Sequence, residues 1–296
     1  MRAAVIGVLA GLAVAGPAKA EPIRLTDALG RTVALPRPPQ RIVTIFSSNT
    51  ELVAGLGLTD RIVGIDAFTR YPPEAAAKPV VGGRLGFSVD AVVAQNPDLV
   101  LVTPARQAVH QLLAPMERLG VPTLVLTSRS LGEVLDNIRL VGRATGEPER
   151  GTALADALTA RLARVADTVA GRPCPRLVLI TGRLGNGLVL VARANTYTAD
   201  ALVRAGGCLA LSGHGSLAQV SPEALLAADP DVLLLAGSRA DLDELTNRPG
   251  FRDMRAIREG RASLVPRAEF LIPGPRTVDG IERLADLLHP RREERP

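Results

Sequence analysis

The chain has 296 residues, 47% hydrophobic and 2% aromatic, with a formal charge of +5 at neutral pH. That length is enough for two domains of ordinary size, each with its own core. The modest charge, the absence of tryptophan and the lack of any basic run of five or more argue against nucleic-acid binding.

Residues 1–20 read as a secretory leader. Arg2 supplies the positive start, Ala3 to Gly16 is a small-apolar run too short to span a bilayer, and Ala18-Lys19-Ala20 is a cleavage site. No cysteine follows that site, so the expectation is a soluble periplasmic protein cleaved after Ala20 and starting at Glu21, without a lipid anchor. Loss of Arg2 and Lys19 with the leader lowers the formal charge by two, to +3.

Downstream, short apolar strands alternate with helical patterns. Strands are predicted at Val43 to Phe46, Ile62 to Ile65, Leu99 to Val102 and Thr123 to Leu126. Helices are predicted at Thr50 to Leu56, Ser88 to Gln95, Ala108 to Leu119 and Ser130 to Thr145, the last ended by Gly146 and Pro148. Glu149 to Ala170 is rich in Ala, Leu and Arg and reads as one helix of roughly 30 Å, stopped by Gly171-Arg172-Pro173. The β/α pattern then restarts with Leu177 to Ile180, Phe251 to Gly260, Ala262 to Val265 and Ile281 to Leu288. The expected fold is α/β: two Rossmann-like lobes, 21–146 and 172–290, joined by one long backbone helix at 147–171, with a ligand cleft between the lobes and a charged tail at 291–296. A single connecting helix resists large closure.

A fourteen-residue phrase occurs twice in the same register, 133 residues apart. Ser88 to Leu101 reads SVDAVVAQNPDLVL, and Ser221 to Leu234 reads SPEALLAADPDVLL. Each copy is a Ser N-cap, an acid in the first helical turn, two apolar turns, an Asx-Pro-Asp break and a buried strand. One helix-turn-strand unit built in both halves indicates two similar lobes.

The two cysteines, Cys174 and Cys208, form no C-x-x-C and, with three scattered histidines, no zinc signature. Cys174 precedes the strand at Leu177 and Cys208 follows the next helix, a placement that suits either a disulfide or two buried thiols. The chain shows no G-x-S-x-G, H-E-x-x-H or Walker loop. Gly182 to Gly187 (GRLGNG) follows a strand but precedes another apolar run, so it reads as a hairpin turn rather than a phosphate loop. An enzyme is therefore not expected.

Arg41 to Glu51 (RIVTIFSSNTE), Tyr71 to Ala75 (YPPEA), the two Pro-Asp strands and Pro273 to Arg276 (PGPR), in that order, resemble the helical-backbone periplasmic binding proteins that serve ferric-siderophore, cobalamin and haem ABC importers. The resemblance implies a monomeric receptor without a cofactor of its own. It further implies that Asp90 and Glu223 dock onto arginines of an inner-membrane ABC permease. Without it, each acid is a carboxylate near a helix N-terminus, worth about 0.3–1 kcal/mol. Asp90 is one methylene shorter than the glutamate commonly found there.

Ligands of open α/β sheets lie beyond the carboxyl ends of the strands. Candidate ligand contacts are therefore Ser47, Ser48, Asn49, Phe68, Arg70, Arg84, Phe87, Arg106, Arg183, Arg239, Arg267 and Phe270. Guanidinium groups suit carboxylates and catecholates, which favours a ferric siderophore, with a corrinoid as the alternative. Haem-binding relatives often carry a tyrosine where this chain has Gly83; Tyr71, Tyr197 and His214 are the remaining axial candidates, each read as structural. Three dispersed histidines do not suggest a site for a bare metal ion.

Overall fold

The computed structural model describes residues 21–83, 86–104, 106–184, 187–211 and 218–290, with the backbone alone for 106–110. The leader, the tail, Arg84, His214, Ser216 and the side chain of Arg106 lie outside the described residues.

Among the described residues, two six-stranded sheets form the two lobes. In the N-terminal sheet the order is Gly86–Phe87, Val80–Gly83, Ile62–Asp66, Ile42–Thr44, Leu99–Val102 and Thr123–Val125. Every neighbouring pair is parallel except the short hairpin at the Gly86–Phe87 edge. The C-terminal sheet runs Gln219–Val220, Val189–Val191, Arg176–Arg183, Val232–Leu235 and Ala262–Leu264, with Cys208–Leu209 pairing in parallel with Arg176–Arg183. Its central pairs are parallel, and the strands Arg176–Arg183 and Val189–Val191 pair antiparallel; residues 185 and 186 of the GRLGNG segment between them lie outside the described residues. The central strands Leu99–Val102 and Val232–Leu235 are buried on both faces, hence their continuous Leu and Val.

The repeated phrase builds the same unit twice, down to single atoms. Ser88 and Ser221 cap their helices through Oγ, accepting from the N–H of Ala91 (3.1 Å) and Ala224 (3.2 Å). Asn96 and Asp229 both take a positive φ, 47° and 33°, which Asn and Asp tolerate best among side-chain-bearing residues. Asp98 then accepts the backbone N–H of Gln40 and Arg41, and Asp231 that of Arg176. Each Pro-Asp thus secures the start of the neighbouring central strand.

Between the lobes lies Pro148–Val169, 22 residues long and about 33 Å from end to end. Gly151, Ala155, Leu158, Leu162 and Val165, spaced alternately by four and three, form its buried stripe. It packs antiparallel on Leu131–Ala144 at a very close crossing. A Cβ on Gly142 would sit 2.8 Å from the Cα of Gly151. A contiguous apolar core runs from Leu52 and Ile138 through this helix to Leu177, Leu202 and Ile281, so both lobes share it. Arg161 of the long helix also forks onto Asp279 (2.6 Å) and Glu282 (2.5 Å) of the C-terminal helix Arg276–Leu288.

Several local expectations are corrected. An N-terminal hairpin, Ile23–Thr26 with Thr32–Leu35, was not foreseen; Asp27 organises its turn by accepting the N–H of Leu29 and Arg31 and by pairing with the Arg31 guanidinium. The helix predicted at Phe251 to Gly260 is split into a 3-10 turn, Phe251–Asp253, and one helical turn, Arg255–Arg258. Met254 between them is extended because it and Phe251 both turn into the core.

Cys174 and Cys208 are joined in a disulfide, with Cα atoms 5.5 Å apart. The pairing of Cys208 with Arg176 in the sheet brings it back to the start of the strand that Cys174 precedes. The bridge closes a loop of 34 residues. Its reduction is expected to cost about 3–4 kcal/mol on the chain-entropy account, seen as a lower urea midpoint in dithiothreitol.

Candidate functional site

Two cavities are lined by residues at or just beyond the carboxyl ends of strands, among them Asp66 and Thr103 in one and Thr181 and Arg267 in the other. The one on the N-terminal side, about 320 Å³, is lined by Phe46, Ser47, Ser48, Asp66, Phe68, Thr103, Leu271, Ile272 and Pro273. The C-terminal one, about 370 Å³, is lined by Thr181, Leu190 to Arg193, Thr196 to Thr198, Ala218, Arg267 and Leu271. Leu271 lines both cavities, and Ile272 and Pro273 continue the wall of the N-terminal one.

The N-terminal wall begins at a strained residue. Phe46 follows the strand Ile42–Thr44 with φ 76° and ψ 135°, a conformation costly for any residue with a Cβ. Its ring lies against Phe87, with centroids 5.8 Å apart at 58°. The helix Ser47–Gly55 starts immediately afterwards, without a side-chain cap on its first turn. Ser47 and Ser48, in that first turn, line the cavity. Phe68 stands 53% exposed in the same wall. Beneath them is a buried polar chain: the Thr69 hydroxyl donates to Asp66 at 2.5 Å, Thr69 and Thr50 lie 3.4 Å apart, and Thr50 and Thr44 2.7 Å. Burial pushes the Asp66 carboxyl above its usual range despite these hydrogen bonds.

The other predicted contacts divide sharply. Arg267 is on the C-terminal wall, where Nη1 donates to the carbonyls of Thr181 (3.1 Å) and Ala236 (2.9 Å). Asn49 is not available to a ligand: it is buried, and its amide donates to the carbonyl of Ile45 and to Thr103. Arg70 turns back onto the carbonyls of Ala67 and Thr69. Arg183 pairs with Asp241 and Glu244, both at 2.7 Å, and these acids raise its pKa. Phe270 is 1% exposed and packs inside the C-terminal lobe, its carbonyl accepting from Thr198. Arg239 is exposed at the start of its helix and lines neither cavity. Phe87 contributes through Phe46 rather than as a cavity wall of its own.

Sequence reasoning missed Asp66, Thr103 and the apolar segment Leu271 to Pro273. Asp66 was legible as an acid ending the apolar strand Ile62–Asp66, and the segment as the residues just before Gly-Pro-Arg.

Next to the cleft the lobes are fastened by a second polar contact. Arg276, from the helix of the C-terminal lobe, forks onto both carboxylate oxygens of Glu51 in the N-terminal lobe. Its guanidinium carbon lies 3.9 Å from the centroid of the Tyr71 ring. Glu51 is nearly inaccessible, and its pKa is raised because desolvation outweighs the arginine. Tyr71 is thus a shelf for Arg276, and Tyr197 is half-buried with its pKa pushed up by burial. At Gly83 a Cβ would lie 2.8 Å from that of Ala67. Among the described residues no group of three or more His, Cys, Asp or Glu is placed to hold a metal ion, and no helix is long and apolar enough to cross a membrane.

Asp90 and Glu223 sit far along the chain from each other but in equivalent places, exposed in the first turns of Val89–Val93 and Pro222–Ala228. The Glu223 carboxyl is held below its usual pKa by its own backbone N–H and by the Ser221 hydroxyl.

Comparison with known proteins agrees with this architecture. An uncharacterised ABC transporter substrate-binding lipoprotein, YvrC, of Bacillus subtilis is 25% identical over 91% of this chain and 86% of its own length. A cobalamin-binding protein of Halobacterium salinarum is 28% identical over 90% of this chain and 74% of its own. The solved periplasmic haem-binding protein RhuT of Roseiflexus sp. RS-1 superposes with a TM-score of 0.76 at 30% identity, covering 84% of this chain and 98% of that one. Residues 42–267 match the family described as periplasmic binding protein. The chain therefore belongs to the periplasmic binding proteins, a family of substrate-binding proteins of ABC importers rather than of enzymes.

Proposed function

We propose that the chain captures a corrinoid of the cobalamin class between its lobes and delivers it to an inner-membrane ABC permease, which it engages through Asp90 and Glu223. The observation that carries the ligand is the N-terminal wall, where Phe46, Phe68, Leu271, Ile272 and Pro273 offer an apolar and aromatic surface to a broad macrocycle. The guanidinium argument for a siderophore loses Arg70 and Arg183 to internal partners. A corrinoid brings its own axial ligands to cobalt, whereas haem iron takes one from protein. Tyr71 is stacked under Arg276, and Tyr197, the tyrosine that lines the C-terminal cavity, is half-buried and hydrogen-bonded to Thr198. A ferric siderophore is the second reading, favoured by Arg267 at the C-terminal wall.

The test is thermal unfolding of the purified protein with cyanocobalamin, haem and a panel of ferric siderophores. Ligand at one hundred times Kd adds about 2.7 kcal/mol, a rise in Tm on the order of 5 °C or more for a protein this size. Cyanocobalamin is expected to give that rise. A rise with haem or a siderophore alone would replace the corrinoid.

A further inference from the structure

We propose that the cleft is electrically polarised and so fixes the direction in which its ligand lies: Asp66 faces neutral, hydrogen-bond-donating amides at the N-terminal wall, and Arg267 takes the ligand's acidic group at the C-terminal wall. This rests on the corrinoid reading, whose ligand has both parts: a ring edge of neutral carboxamides and one phosphodiester on the nucleotide arm.

Asp66 is unlike the other deeply buried acids of the chain. Asp27 is paired with Arg31 and Glu51 with Arg276. Asp66 is 1% exposed and its carboxyl is held by the Thr69 hydroxyl and by the backbone N–H groups of Phe68, Thr69 and its own residue, yet among the described residues no arginine, lysine or histidine forms an ion pair with it. It nevertheless lines the ligand cavity with Ser47, Ser48 and Thr103. An acidic ligand group placed there would meet a second carboxyl with no cation to compensate it. A carboxamide N–H would instead find an acceptor.

The opposite wall has the reverse character. Arg267 lies where the strands Arg176–Arg183 and Val232–Leu235 end, and the carbonyls of Thr181 and Ala236 hold one guanidinium nitrogen. Such tethering orients the rest of the planar fork before any ligand arrives, and a fork suits phosphate or carboxylate oxygens. Asp66 and Arg267 line different cavities whose linings share Leu271, so a ligand long enough to occupy both is presented with both.

The experiment compares Kd values of the purified protein for cyanocobalamin, for dicyanocobinamide, which lacks the phosphodiester, and for a cyanocobalamin carboxylate made by hydrolysing one ring amide. The variants are Arg267→Gln, Arg267→Lys and the near-isosteric Asp66→Asn, each checked for fold by circular dichroism. Arg267→Gln is expected to weaken cyanocobalamin about 10- to 100-fold, the range for one charge-assisted hydrogen bond. The loss should be at least tenfold larger than for dicyanocobinamide, and Arg267→Lys should recover part of it. Asp66→Asn should shrink the wild-type preference for cyanocobalamin over its carboxylate by a similar factor. Equal losses for all three corrinoids in both variants would overturn the proposal while leaving the corrinoid reading intact. Should the wild type bind haem and no corrinoid, the corrinoid reading fails, and haem with its dimethyl ester becomes the probe pair. Arg267→Gln must then weaken haem at least tenfold more than the diester, and equal losses would overturn the polarity as well.

Discussion

Replacing Arg276 by alanine is expected to cost about 3–5 kcal/mol of folding stability, the range for removing one partner of a buried ion pair. Glu51 has 2% of its side-chain surface exposed and receives two hydrogen bonds from this guanidinium. Without them a carboxylate stays in a site that already raises its pKa through desolvation. The pH dependence identifies the cause. A carboxyl whose folded pKa is raised destabilises the fold above that pKa and ceases to do so below its ordinary value of 4.5. Arginine lowers the Glu51 pKa, so its removal raises that pKa further, and the deficit of Arg276→Ala against wild type should be largest at neutral pH and shrink as pH falls toward 4.5. Urea unfolding at several pH values reads both. Pairing Arg276→Met with Glu51→Gln should recover much of the loss, since a neutral pair leaves no buried charge. A loss below about 1 kcal/mol that does not vary with pH would show that the contact is only packing of Arg276 on Tyr71.

The lobes, the long helix and the repeated unit were legible because each is a local signal: strands are apolar runs, helices carry periodic stripes, and Ser caps precede both repeated helices. The repeat also carried more than one message. Ser88, Asn96, Pro97 and Asp98 have counterparts in Ser221, Asp229, Pro230 and Asp231 because the fold needs a cap, a left-handed residue and a strand anchor there. The site was much less legible. An arginine at a strand end reads the same whether it faces a ligand or an acid, and the decisive neighbours are distant in sequence: Asp241 and Glu244 for Arg183, the carbonyls of Thr181 and Ala236 for Arg267. Phe270 looked like an aromatic at a cleft loop, but the residues that bury it belong to the helix six positions further on and to Thr198. The strain at Phe46 has no sequence signature, since a phenylalanine after an apolar strand ordinarily continues it.

Reversing both Asp90 and Glu223 to arginine is expected to abolish uptake of radiolabelled ligand by cells while the purified protein keeps its Kd within about twofold of wild type. Once cap, turn and anchor are accounted for, the repeated feature that remains is the acid in the first turn, whose contacts stay local: Glu223 is held by its own backbone N–H and the Ser221 hydroxyl. Each side chain is exposed, and neither lines the cleft. Their favourable contact with the helix N-terminus is worth about 0.3–1 kcal/mol apiece, too little for the double reversal to unfold the chain. Two acids in equivalent places on two lobes suit a permease that grips both at once, and those lobes share a core and a 22-residue helix. The low pKa of Glu223 keeps that lobe's charge in mildly acidic medium. Each single reversal should leave intermediate uptake, and neutral Asp90→Asn with Glu223→Gln should weaken docking without adding repulsion. Reversal of the partner arginines on the permease should restore uptake to the doubly reversed receptor. Uptake at wild-type rates in the double variant would remove both residues from docking, and a lost Kd would place them in ligand binding instead.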